Sequence, residues 1–217
     1  MSTSAAAFDL PWPWNGERFE LGALRRLTFI TGPLGSGKTR FATTLAQRLP
    51  DAAFVGLDRL DDGAAATWAA LERDGALRAR VDEALDWIEA AGADRSTALV
   101  SLLVTLEAKA PRVLVIDMVE QGLDDAAQRA VVSFLRERRS PERPLVLMTR
   151  STSILQLDAL RDDEAVILCP ANHSPPRFVE PRAGAPGYDS VLTCLASPAV
   201  RARTQGLVAV LRPVELV

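Results

Sequence analysis

An α/β fold, a mostly parallel sheet flanked by helices, is predicted by three features of this chain. Short runs rich in Val, Ile and Leu at 27–31, 113–117 and 145–149 lack polar alternation, as strands do when both faces of a sheet are covered. Between them, apolar residues recur at helical spacing: Phe41, Leu45 and Leu49, then Leu99, Leu103 and Leu106. A glycine-rich segment at 32–39 joins the first run to the first of these helices, so the order is strand, loop, helix. With 217 residues, 48% of them hydrophobic, residues 1–217 suffice for one domain around a single core.

The elements follow in order. Residues 1–17, rich in Ala, Pro and Trp, read as an irregular N-terminal arm. FELGALRRLTFIT, from Phe19, gives two short apolar runs around a turn. Pro50 stops the helix after the glycine-rich loop, and a strand is expected at 52–57. A helical insertion spans 58–95, with Leu77, Val81, Leu85 and Ile88 on one face and Gly75 dividing two helices. Ser96 is placed to cap the next helix, and Pro111 precedes the strand VLVID. A further helix starts at Asp124; its acidic start and its basic end at Arg136, Arg138 and Arg139 match the helix dipole. A strand at 165–169 follows. The C-terminal extension, 170–217, runs through a Pro-rich connection to a short helical stretch at 199–203 and an apolar run at 207–211.

Composition narrows the function. A net charge of -3 gives no electrostatic indication of nucleic-acid binding. The basic run RERRSPER at 136–143 reads as a solvated helix end and loop. The two cysteines, Cys169 and Cys194, lack metal-ligand spacing and read as buried thiols in a reducing compartment. The lone His173 excludes a metal site built on imidazoles. No apolar run reaches the roughly 18 residues a membrane span needs, and a cytoplasmic location is expected.

The chemistry concentrates at Gly32, Pro33, Leu34, Gly35, Ser36, Gly37, Lys38 and Thr39, which satisfy GxxxxGK(S/T). In such a P-loop the glycines let backbone N–H groups face phosphate oxygens, and the helix N-terminus adds favourable potential. Lys38 is placed for the β- and γ-phosphates, Thr39 for magnesium, and Arg40 beside them on the helix. Asp117, ending VLVID at the C-terminal edge of a strand, matches a Walker B aspartate holding Mg2+. No NKxD-type guanine-reading motif occurs, so ATP is expected as the nucleotide.

VIDMVEQGLD, at 115–124, resembles the Walker B and D-loop of ABC-type ATPases, with Gly122, Leu123 and Asp124 matching the D-loop. The resemblance implies a P-loop NTPase with ABC-like topology and a reduced insertion, and nucleotide sites shared between two subunits. It places the family's catalytic glutamate on Met118, which cannot accept a proton, and leaves Glu120 and Gln121 as substitutes or as solvated loop residues. The switch histidine falls on Arg150, read either as a contact to the γ-phosphate or as a surface ion-pair partner. The glutamine loop falls near Asp58, a magnesium-side carboxylate or an ordinary strand-end residue, and Ser96 stands where the signature motif would be. Among Trp12, Trp14 and Phe19 upstream of the loop, Trp14 is the expected adenine platform, against a role in covering a sheet edge.

The expected function is an ATP- and magnesium-binding switch or assembly module, hydrolysing slowly and pairing with a second copy or a protein partner. The alternative is a small-molecule kinase, for which Arg73, Arg78, Arg80 and Arg95 of the insertion are candidate lid residues.

Overall fold

A computed structural model describes residues 6–137 and 143–200. The six-stranded sheet takes the order β4, β5, β6, β3, β7, β8: Ala52–Val55, Val113–Ile116, Leu145–Met148, Leu27–Thr31, Glu164–Leu168 and Arg177–Val179. All pairs are parallel except β7 with β8.

The apolar runs lack alternation because successive residues serve two separate cores. Leu114, Ile116, Leu145, Leu147, Val166 and Leu168 face one, and Val113, Val115, Val146, Met148, Ile167 and Cys169 face the other. The first core is closed by α3 (Gly75–Ala90), α4 (Thr97–Glu107), α5 (Asp125–Glu137) and α6 (Tyr188–Cys194). The second is closed by α1 (Lys38–Arg48), through Phe41, Ala42 and Leu45, and by the N-terminal segment. β4 is only half-buried, because it forms one edge of the sheet.

The helical insertion has the expected division. Three-ten turns at Leu57–Gly63 lead to α2 (Ala65–Arg73), and Asp74 caps α3 by accepting from Leu77 N at 2.9 Å. Leu77, Val81, Leu85 and Ile88 are buried together. Ser96 caps α4 through Leu99 N at 3.2 Å, and Asp124 caps α5 through Ala127 N at 2.7 Å.

Three expectations change. The N-terminal arm contains a strand, β1 (Ala6–Asp9), which pairs antiparallel with β2 (Arg18–Gly22) and buries Phe8 and Phe19 against Phe41. The two strands form a hairpin whose connection, residues 10–17, is rich in Pro and Trp and obscures the pairing in the sequence. The Pro-rich connection contains β8, an edge strand whose one buried residue, Val179, gives little pattern to read. The basic run is not simply solvated, because both of its described arginines are structural. Arg136 grips the buried Glu164 through Nε and Nη2 at 2.8 and 2.9 Å, and Arg143 donates to the carbonyls of Leu106, Ala108 and Pro111. A helical turn begins at 198–200, but the expected end of that helix, the apolar run at 207–211, and Arg138 and Arg139 lie outside the described residues.

The Glu164 side chain is 0% exposed, so removing Arg136 leaves a buried carboxylate without its strongest partner. Arg136→Ala should lower unfolding stability by about 3 kcal/mol, read as a shift of the urea midpoint at an unchanged m-value.

Candidate functional site

β3 delivers its last residue, Thr31, directly into the glycine-rich loop at the C-terminal edge of the sheet. Two close approaches fix that loop. A Cβ on Gly32 would lie 2.3 Å from the carbonyl oxygen of Cys169, and one on Gly37 would lie 3.0 Å from the Trp14 ring. Gly37 also has φ of 84°, a conformation that glycine adopts without strain. α1 begins at the next residue with no side-chain cap and no acidic residue in its first turn. Its leading N–H groups therefore favour an anion on electrostatic grounds.

Lys38, Thr39, Asp117 and Arg150 converge around this loop. Lys38 Nζ donates to Pro33 O at 2.7 Å, and Thr39 Oγ1 donates to Asp117 Oδ2 at 3.4 Å. Burial and then the nearby Arg150 guanidinium lower the Lys38 pKa. Burial raises that of Asp117, opposed by its hydrogen bond from Thr39 and by the charges of Arg59 and Lys38. Ser36 Oγ and Arg150 Nε are buried without a hydrogen-bond partner among the described residues. A phosphate group bound on the loop would offset the repulsion between Lys38 and Arg150.

The hydroxyl and carboxylate oxygens of Thr39 and Asp117 are hard donors of the kind Mg2+ takes when phosphate oxygens and water complete its shell. Among the described residues there is no group of three or more His, Cys, Asp or Glu that could hold a metal ion unaided. The residues therefore fit an ion that arrives with a phosphate ligand. Asp58 is exposed on the first turn after β4, with its Oδ1 folded toward Gly56.

The segment after Asp117 has an unexpected geometry. Met118 adopts φ of 42°, costing about 1–3 kcal/mol for a side chain with a Cβ. Glu120 is neither solvated nor on the surface: it is 3% exposed, and its Oε1 accepts from Arg150 N at 2.9 Å. The loop after β6 is thereby tied to the segment that follows Asp117. Gln128 joins the same network, accepting from Ser151 Oγ at 2.5 Å and donating to Leu123 O at 2.8 Å. Arg59, which sequence reasoning missed, donates to the carbonyls of Gly56, Asp117 and Met118. No motif marks it, since its partners are backbone atoms.

The expected adenine platform is corrected. Trp14 N donates to Pro11 O at 2.9 Å, and this turn directs the indole inward, where it is 1% exposed and packs edge-on to Phe41. Its Nε1 donates to Ser174 O at 3.2 Å. Trp14 thus supports Gly37 from inside the core and has no open face for a base. The exposed aromatic of that turn is Trp12, 69% accessible, with the Arg40 guanidinium 4.9 Å over its ring and Arg40 Nη1 bonded to its carbonyl.

The fold and this site define a P-loop NTPase: a mostly parallel sheet with a phosphate-binding loop at its carboxyl edge. A family model of AAA ATPase domains matches residues 17–148, more than half of the chain, and the chain belongs to that family. No curated protein matches it. Among solved structures it is similar to a bacterial Atm1-family ABC exporter with ATP bound, with TM-score 0.58 and 16% identity over 96% of this chain and 43% of the exporter chain. It is also similar to a putative metal-chelate type ABC transporter in an inward-facing conformation, with TM-score 0.54 and 14% identity over 82% of this chain and 84% of that one. The chain thus spans less than half of the exporter's length, and at these identities the likeness shows the fold alone. No helix among the described residues is long and apolar enough to cross a membrane.

Two outcomes follow for the site. Lys38→Ala should abolish ATP binding in a calorimetric titration while moving the Tm little, since the side chain contributes charge to a loop rather than packing to a core. Both thiols are buried, and burial pushes Cys169 up to about 12, so an aromatic disulfide reagent at neutral pH should titrate both only after denaturation.

Proposed function

We propose that this ATPase domain binds ATP with Mg2+ and works as a nucleotide-dependent switch or assembly module whose hydrolysis is slow. The observation that carries the slow step is the occupation of the Walker B end. The position after Asp117 holds a thioether, Met118, and the carboxylate two residues on, Glu120, is buried and engaged by Arg150 N. A general base must reach the attacking water in its basic form, and neither residue is presented that way.

The loop backbone and Lys38 bind the triphosphate, and Thr39 and Asp117 hold the ion that neutralises it. Arg150 supplies a fixed positive charge at the outer phosphate, and Glu120 positions it through the backbone. Trp12, with Arg40, offers the adenine a stacking face at the mouth of the site. Asp58 joins the magnesium side through water, as its exposed place after β4 permits. ATP then favours docking of a second copy or a protein partner over the loop, where Leu34 is 86% exposed. Phosphoryl transfer to a small acceptor is not favoured, because the family match is to ATPase domains.

Purified wild type should release phosphate slowly in a steady-state assay. Met118→Glu should raise that rate about tenfold, or 1.4 kcal/mol of barrier, since a glutamate fits the same backbone conformation no worse than methionine and restores a base. Fast turnover by wild type that is abolished in Glu120→Gln would make Glu120 the base and defeat the reading.

A further inference from the structure

Arg59 stands outside every motif, yet its side chain makes two hydrogen bonds to the backbone at the end of the Walker B strand. It lies in the turns that follow β4, beside β5 in the sheet. Its Nη1 donates to Gly56 O at 2.8 Å and to Asp117 O at 2.9 Å, and its Nη2 donates to Met118 O at 2.9 Å. One planar guanidinium therefore ties the exit of β4 to two successive carbonyls after β5. Those carbonyls fall within reach of one fork because Met118 is in the left-handed region.

Arg59 is itself held from behind. Its carbonyl accepts from Ser101 Oγ of α4 at 3.0 Å, and Ser101 Oγ accepts from Thr67 Oγ1 of α2 at 3.1 Å. Both hydroxyl residues are buried, Ser101 to 1% and Thr67 to 6% exposure. A continuous chain of hydrogen bonds thus runs from the helical insertion through Arg59 to the backbone of Asp117.

We propose that Arg59 is the positioning residue of the magnesium carboxylate: its fork sets the backbone at Asp117 and Met118, and so places Asp117 Oδ2 opposite Thr39 Oγ1. The inference rests on the reading of the site as an ATP and Mg2+ site. It assigns Arg59 no contact with nucleotide. Its side chain grips carbonyls, whereas the triphosphate is bound by the loop and Lys38, so the two functions are separable in experiment.

The test measures ATP binding by calorimetry in excess EDTA and across a Mg2+ titration, for wild type, Arg59→Gln and Arg59→Lys. Arg59→Gln should keep EDTA-state affinity within about twofold and raise the half-saturating Mg2+ concentration about tenfold or more, the usual size of an outer-shell effect on a metal. Arg59→Lys, which keeps the charge but loses the fork, should fall between it and wild type, and it supplies the measurement if the glutamine variant does not fold. Equal loss of affinity with and without Mg2+, in step with a lowered Tm, would mean a general structural role and overturn the proposal. An unchanged Mg2+ midpoint in both variants would overturn it as well. Failure of wild type to bind ATP in either condition would instead overturn the reading of the site, whatever Arg59 does.

Discussion

The site depends on β3 being hydrogen-bonded along both edges, to β6 on one side and β7 on the other. A strand held this way cannot slide without breaking two ladders, so the loop leaving its end has a fixed origin. The neighbours then deliver their own parts. The end of β7 sets the Cys169 carbonyl against Gly32, closing the loop from one side. The end of β6 carries Thr149 and Arg150 to the other. β5, one strand further out, brings Asp117 to Thr39. The order of strands thus decides that a cation, Arg150, stands between the glycine-rich loop and Asp117.

Around that frame the protein carries several buried or half-buried charges, and each is engaged by hydrogen bonds rather than left to long-range attraction. Glu120 engages Arg150 N, Arg59 three carbonyls, Arg143 carbonyls near the end of α4, and Arg136 the carboxylate of Glu164. Ionised groups withdrawn from water at this cost are tolerated only where geometry compensates for the lost hydration. Arg136 and Glu164 lie far from the nucleotide loop in the fold, at the opposite end of α5 and the start of β7, where they brace the sheet. Glu120 and Arg59 lie at the site, where the same kind of bond orients functional neighbours.

The sequence was most legible where one local pattern determined the answer. GPLGSGKT, the apolar runs, the cap at Ser96 and the acidic helix start at Asp124 each depend on residues within a few positions of one another, and strand, loop and helix follow. It was least legible where the deciding contact was distant. Trp12 and Trp14 are indistinguishable by composition, and only the turn to Pro11 together with the packing on Phe41 turns one outward and the other inward. Glu120 looks like a loop carboxylate until Arg150 N, thirty residues on, is beside it. Arg59 recognises only main-chain oxygens, which leave no trace in a side-chain pattern. The strand β1 failed for a related reason, because its partner lies beyond a turn of Pro and Trp that masks the pairing.

The loop that carries Arg150 shows how such distant contacts serve function. Glu120 accepts from Arg150 N, Gln128 accepts from Ser151 Oγ, and Ser153 Oγ donates to Asp125 at the start of α5. From the other side, Ala196 N donates to Arg150 O at 2.9 Å, and Thr152 N donates to Ala196 O at 3.2 Å. Four successive residues are therefore tethered to the segment after Asp117, to α5 and to the chain after α6. A loop bound on both sides holds the Arg150 backbone in place before any ligand arrives, so little backbone entropy remains to be lost on binding. The same tethers make the loop a junction: displacing Arg150 would strain the start of α5 and the C-terminal segment together. A group that displaced Arg150 would therefore act on surfaces well outside the phosphate site, which is what the proposed switch requires.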